Sequence, residues 1–176
     1  FVSAEQKKIT GKIEIEEFSS PNQKIKLDSL KNMETIILSA PKTISNVVKI
    51  LEIVLVGALN NRASDIHFEP EERRAKLRLR IDGALHDVFT EFEKDFYSAL
   101  LSRIKLLSNL KINIRDEAQD GRFTIKVGKK EIEVRVAIAP SEFGEVAVMR
   151  LLDPDAINLS LSDLGLREDD LKIIEV

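Results

Sequence analysis

Residues 76–81 constrain the fold more than any other stretch of this chain. Leu77, Leu79 and Ile81 alternate there with Lys76, Arg78 and Arg80, which sends apolar side chains to one face of a strand and basic ones to the other. Asp82-Gly83 comes next. Both central positions of a type I′ turn need positive φ, and Asp-Gly is one of the pairs that supplies it. The chain is therefore expected to return as a strand over residues 84–89, in a register that sets Arg78 across from Asp87.

The same patterning recurs along the chain. Residues 65–69 alternate, with Ile66 and Phe68 on one face and Asp65, His67 and Glu69 on the other. Further strands are expected over residues 122–127, 130–139 and 145–152. The last runs Val146-Ala147-Val148-Met149, which reads as a central strand buried on both faces. His86 falls on the inward face of its hairpin and is expected to be a satisfied core histidine.

Two helices alternate with these strands. After Pro41, the spacing of Ile44, Val47, Val48, Leu51, Val54, Leu55 and Ala58 predicts a helix over residues 43–61, with Thr43 or Ser45 as its cap. Phe96, Leu100, Leu101, Ile104 and Leu107 form the apolar stripe of a second helix over residues 93–108. Residues 1–40 are polar and lysine-rich, with an alternating run from Lys12 to Glu16, and read as an arm or linker carrying one or two weak strands. Beyond Pro154, residues 167–176 look like the opening of another helix. Hairpins and helices in this order define an α+β fold, with a mainly antiparallel sheet packed against helices.

Composition narrows the function. With 43% hydrophobic and 32% charged residues in a chain of 176, there is enough apolar material for a real core. A net charge of −3 does not suit a general nucleic-acid binder. There is no cysteine, which excludes disulfides, a thiol nucleophile and thiolate metal ligation. The apolar stretch 50–59 is interrupted by Glu52 and is far shorter than the roughly 20 residues of a membrane helix. The chain starts at Phe1 rather than methionine and stops at Val176 without a terminating signal, so both ends are expected to be cut.

Catalytic motifs are missing. A P-loop needs two glycines five apart followed by Lys and Ser/Thr, and none of the seven glycines has that spacing. The two histidines, His67 and His86, offer no zinc-binding pattern. Ser64, Asp65 and His67 are triad residue types, but near-consecutive positions on one strand cannot give the mutual geometry a triad needs. Asp65 and His67 are instead expected to bond local backbone at the helix-to-strand junction.

One pairing stands out. Gly128-Lys129 fits a Gly-first type II′ turn. That turn pairs Val127 with Lys130, Ile125 with Ile132 and Phe123 with Val134, keeping the apolar partners on one face. The opposite face then pairs Lys126 with Glu131, Thr124 with Glu133, and Arg122 with Arg135. Like charges directly across a ladder are unfavourable. Two readings remain open: Asp120 and Glu133 serve as structural partners, or an anion binds between the arginines, since guanidinium forks match phosphate oxygens.

Three segments carry a resemblance. Ala63-Ser64-Asp65-Ile66-His67-Phe68-Glu69-Pro70 with Arg80-Ile81-Asp82-Gly83-Ala84-Leu85 is the first. Ser102-Arg103-Ile104-Lys105 leading to Gln119-Asp120-Gly121-Arg122 is the second, and Arg135-Val136 with the run from Gly144 to Leu152 is the third. Together they resemble the domain that precedes the motor core in the traffic ATPases of type II secretion and type IV pilus assembly, over about residues 44–167.

The resemblance implies a PAS-like domain over residues 41–155, preceded by an arm at 1–40. Residues 156–176 would then be the linker and the start of a RecA-like ATPase domain. It implies ATP and Mg as cofactors of the full-length protein, with Arg122 and Arg135 contacting the nucleotide phosphates. Arg78 and Arg80 are weaker candidates for domain or subunit contacts, and an outward, solvated basic face is the slightly preferred reading of them. Expected partners are the ATPase domain, neighbouring subunits of a homo-hexamer and inner-membrane platform proteins, with no nucleic acid. The expected location is cytoplasmic, peripheral to the inner membrane. The domain would regulate the motor without being catalytic by itself. The rival reading is a PAS-like interaction module that docks a platform protein and never meets ATP. Ala118 stands where the family has proline before Gln-Asp-Gly-Arg, which predicts a looser approach to Arg122. Arg150, on the central strand, is expected in a buried structural ion pair.

Overall fold

The computed structural model describes residues 11–15, 27 and 29–153. The strands are β1 (Lys12–Ile15), β2 (Asp65–Pro70), β3 (Ala75–Ile81), β4 (Ala84–Phe92), β5 (Gln119–Val127), β6 (Lys130–Ser141) and β7 (Gly144–Leu152). The helices are α1 (Leu30–Ser39), α2 (Val47–Asn60) and α3 (Lys94–Leu107), with a single 3-10 turn at Ile44–Asn46. All seven strands join one sheet in the order β1-β5-β6-β7-β2-β3-β4. Every pairing is antiparallel except β1 with β5. This is the α+β fold expected, with its mainly antiparallel sheet and helices sharing one core.

Both turns form as their residues dictate. Asp82 and Gly83 have φ of 49° and 81°, as a type I′ turn requires. At the other hairpin only Gly128 is left-handed, at φ 60°, which fits type II′. Each predicted pair is observed, Arg78 with Asp87 and Arg122 with Arg135 included. Strand β4 continues to Phe92 past an irregularity near Leu77. There Phe89, Phe92 and Phe96 form an aromatic cluster, with ring centroids 4.5 and 5.7 Å apart.

The core lies on one face of the sheet. Ile66, Phe68, Leu77, Leu79, Phe123 and Met149 are buried there and join Ile50, Leu51 and Val54 of α2 and Leu100 and Ile104 of α3. Strand β7 is central, but only one of its faces is buried. Ala147, Met149 and Leu151 point into the core, while Val146 and Val148 are half-buried and Arg150 is exposed. The apolar run had suggested cover on both sides, yet among the described residues no element covers the second face completely.

Three local readings are corrected as well. Residues 30–39, expected as part of an irregular arm with at most weak strands, form α1. The Ser29 side chain accepts from the Asn32 N–H at 3.3 Å to cap it, and Met33 and Ile37 are fully buried. Met33 rests on Gly57, where a Cβ would lie only 2.5 Å from its sulfur, so glycine lets α1 cross α2 closely. Thr43 stands at the N-cap of the 3-10 turn, but neither its side chain nor that of Ser45 makes a capping bond; their hydroxyls bond each other at 2.8 Å. His86 is exposed, because β4 is buried only at Val88, Phe89 and Phe92. The helix expected over residues 167–176 lies outside the described residues.

Candidate functional site

Pairing across the open face builds a single row of charged side chains. Arg122 of β5 pairs with Arg135 of β6, and Arg135 pairs with Arg150 of β7. Arg150 pairs with Asp65 of β2, and Asp65 with Arg80 of β3. Directly paired residues share a face, so four arginines and one aspartate lie side by side across five strands. A cleft of about 620 Å³ opens over this row, lined by Asp65, Asp120, Arg122, Arg135 and Arg150 among others.

The Arg122 and Arg135 side chains are 58% and 68% exposed. They share one carboxylate: Glu133 lies 3.5 Å from Arg122 Nη1 and accepts from Arg135 Nε at 3.3 Å. Asp120, the other nominated partner, forms no ion pair among the described residues. Exposed pairs of this kind contribute at most about 1 kcal/mol, so Glu133 holds the two guanidinium groups only weakly.

Arg150 differs. It makes the ion pair expected of it, with its Nε donating to Asp65 Oδ1 at 2.9 Å, yet its side chain is 66% exposed rather than buried. The buried member is Asp65, at 5%. Ser64 donates its hydroxyl to the other Asp65 oxygen at 2.8 Å, and Arg80 Nε lies 3.5 Å away. Burial favours the neutral acid, but the hydrogen bonds from Arg150 and Ser64, together with the charges of Arg150 and His67, hold the Asp65 carboxyl below its ordinary pKa.

Local geometry explains why these residues meet. Arg62 at φ 53° turns the chain out of α2. Ser64 then bridges two strands through its backbone, donating to Arg80 O at 2.9 Å and accepting from Leu151 N at 3.0 Å. At the far end of the row, Gly121 passes the end of α3 so closely that a Cβ would lie 2.5 Å from Ser108 O. The loop before it is held despite Ala118. The Gln119 amide accepts from Lys111 N at 2.9 Å and donates to Lys111 O and Ile114 O at 3.0 and 3.1 Å.

Arg78 and Arg80 are tied to their own hairpin and to the neighbouring β2. Arg78 lies 2.9 Å from Asp87 and 3.5 Å from Glu69, and Arg80 donates to Gly83 O at 3.0 Å. Ser64, Asp65 and His67 do not form a triad, since the serine hydroxyl meets Asp65 and the His67 ring lies 3.5 Å from Glu69. The side chains of Asp65 and His67 meet other side chains rather than the local backbone expected. No group of three or more His, Asp or Glu able to hold a metal ion exists among the described residues.

Sequence reasoning missed a buried ion pair elsewhere in the fold. Lys105 of α3, 1% exposed, bonds Glu145 of β7 and donates to Ile114 O at 2.7 Å. The Tyr97 hydroxyl donates to Glu145 O at 2.7 Å, with Phe68 O at 3.0 Å. Burial and the nearby Glu145 and Glu69 charges push the Tyr97 phenol well above its ordinary pKa. The one local signal was a lysine inside an apolar helical stripe.

Fold and site thus define an α+β domain that displays a row of arginines on an incompletely covered sheet face. The profile of the family described as type II/IV secretion system protein matches residues 41–176, and the chain belongs to that family of secretion and pilus assembly ATPases. It is 39% identical over 129 residues to the putative type II secretion system protein E of Escherichia coli K12, which covers 73% of this chain and 26% of the relative. It is 43% identical over 120 residues to the type IV pilus assembly ATPase PilB of Myxococcus xanthus, covering 68% and 21%. The chain thus spans about a quarter of the length of these relatives. The X-ray structure of the Legionella pneumophila ATPase DotB aligns with a TM-score of 0.39 and 16% identity, over 72% of this chain and 34% of that one. That likeness is too loose to argue from.

Proposed function

We propose that residues 41–155 are the domain preceding a RecA-like ATPase core in a secretion or pilus motor, that residues 156–176 lead into that core, and that Arg122 and Arg135 close on the phosphates of its ATP. The observation that carries this is the pair itself. Two exposed guanidinium groups stand directly opposite each other and share one partly exposed carboxylate. An anion between them relieves the repulsion and gains charge-assisted hydrogen bonds. Among the described residues no group of three or more His, Asp or Glu could hold a metal ion, so the Mg ion would be held by the nucleotide and the core.

On this reading the domain regulates hydrolysis without performing it. ATP sits between it and the core, the motor is a homo-hexamer at the cytoplasmic face of the inner membrane, and platform proteins are its partners. Among the described residues no helix is long and apolar enough to cross a membrane. Arg78 and Arg80 would meet the core or a neighbouring subunit only by exchanging their present partners.

The test is steady-state ATP hydrolysis by the whole motor carrying Arg122→Ala or Arg135→Ala. Each change should lower kcat sharply, since arginines that stabilise charge on transferring phosphates can be worth roughly 10³ to 10⁵ in rate. Unchanged hydrolysis with weakened binding of a platform protein would establish the docking-module reading instead.

A further inference from the structure

We infer that Arg150 is a third contact for the phosphate chain and that Asp65 is its positioning residue, an inference that rests on the reading above of where the phosphates lie. Arg150 continues the row formed by Arg122 and Arg135 by one strand, and all three line the same cleft. Strands are about 4.8 Å apart, so the long side chains can converge on one extended polyanion.

The bonding of Arg150 supports a ligand-facing role. Among the described residues its guanidinium is held only through Nε, by Asp65. Both Nη groups remain on an exposed side chain. A fork anchored at one edge and open at the other is oriented in advance, so less side-chain entropy is lost when an anion arrives.

Asp65 is suited to hold that fork. It is nearly inaccessible, Ser64 fixes its second oxygen, and nearby Arg80 steadies its charge. A carboxylate buried this way cannot compete with the ligand for the outer edge of Arg150. Pure electrostatics would make Asp65 an obstacle, since it reduces the positive potential of the cleft. Positioning and charge therefore predict opposite effects of removing it.

The experiment is isothermal titration of inorganic tripolyphosphate into the 176-residue chain at low salt, with a thermal melt of each variant. Wild type should bind, and Arg135→Ala and Arg150→Ala should each weaken binding about tenfold, as expected for losing one charge-assisted contact. Arg150→Lys should behave like Arg150→Ala, because lysine has no Nε–H with which to take the Asp65 anchor while presenting a fork. Asp65→Ala should weaken binding although it makes the cleft more positive, and Asp65→Asn, which keeps an acceptor, should recover most of the affinity.

Tighter binding by Asp65→Ala would overturn the positioning role. Full affinity in Arg150→Ala or Arg150→Lys beside impaired Arg135→Ala would overturn the third contact and leave the Arg122–Arg135 reading intact. No binding by wild type at millimolar tripolyphosphate would also overturn the inference, because the row would not be a site without the core; the hydrolysis test would still stand. If Asp65→Ala fails to fold, Asp65→Asn and the two Arg150 variants decide the matter.

Discussion

Arg122 and Arg135 face each other directly across the β5–β6 ladder and divide a single carboxylate, Glu133, between them. Arg135 also has Arg150 on its other side. A position flanked by like charges on both strands works against the stability of the sheet. Among the described residues Glu133 is the one carboxylate set against Arg135 to offset that repulsion, and it is shared with Arg122.

Replacing Arg135 with threonine should therefore leave the fold intact and raise its stability by a few tenths to about 1 kcal/mol, through lost repulsion and good strand propensity. Urea unfolding of the two chains measures this. A loss of more than about 1 kcal/mol would mean that the ion pair with Glu133 holds the sheet together, contrary to the small value of exposed pairs.

Gly121 precedes Arg122 and lies against the carbonyl of Ser108. Its backbone φ is not in the left-handed region, so the constraint is space alone. Gly121→Ala should cost about 1–3 kcal/mol, the usual penalty of overfilling a packed site. It should also push β5 away from α3, broadening or shifting the backbone amide signal of Arg122. An unshifted signal with full stability would show that the contact yields easily.

The hairpins and their registers were legible because alternation and turn chemistry act locally. Asp82-Gly83 and Gly128-Lys129 each fix a turn; the first sets the pairs as far as Arg78 with Asp87, where the register shifts, and the second sets every pair of β5 with β6. Half of the arginine row followed from one such turn. The other half did not, because Arg150 and Asp65 reach it through strands β7 and β2, whose adjacency depends on the order of the whole sheet. Helix α1 was hidden by its lysine-rich surroundings, although Leu30, Met33 and Ile37 have helical spacing. For the buried pair of Lys105 and Glu145, 40 residues apart, the lysine in the apolar stripe of α3 was a local hint, but nothing local pointed to Glu145 as its partner.

That pair makes its own prediction. Removing one member of a buried ion pair leaves an uncompensated charge and typically costs about 3–5 kcal/mol, whereas replacing both by apolar groups can be close to neutral. Lys105→Met should be strongly destabilising, and Lys105→Met with Glu145→Leu less so than the single change. Denaturant unfolding of the two singles and the double closes the cycle. Additive losses would mean that the Lys105 bond to Ile114 O and the Tyr97 contacts carry the stability instead.

His67 predicts how stability varies with pH. Its Nε2 is buried with no hydrogen-bond partner, and Nδ1 lies 3.5 Å from Glu69. Burial lowers its pKa below the ordinary 6.5, with the Arg80 and Arg78 charges adding to the shift and Glu69 and Asp65 opposing it. Above pH 6.5 the ring is neutral in both folded and unfolded chains, so its contribution to stability is fully present. As the pH falls through that value the unfolded chain takes the proton first, and stability declines until the folded ring is protonated as well. Glu52, whose pKa is raised mainly by burial, works in the opposite direction, but it is unchanged in a His67 variant and cancels in the comparison. The urea midpoint of wild type should therefore drop between about pH 7.5 and 5.5, while that of His67→Gln should be flatter over the same range. Equal slopes in the two chains would show that His67 gains enough from Glu69 on protonation to offset its burial.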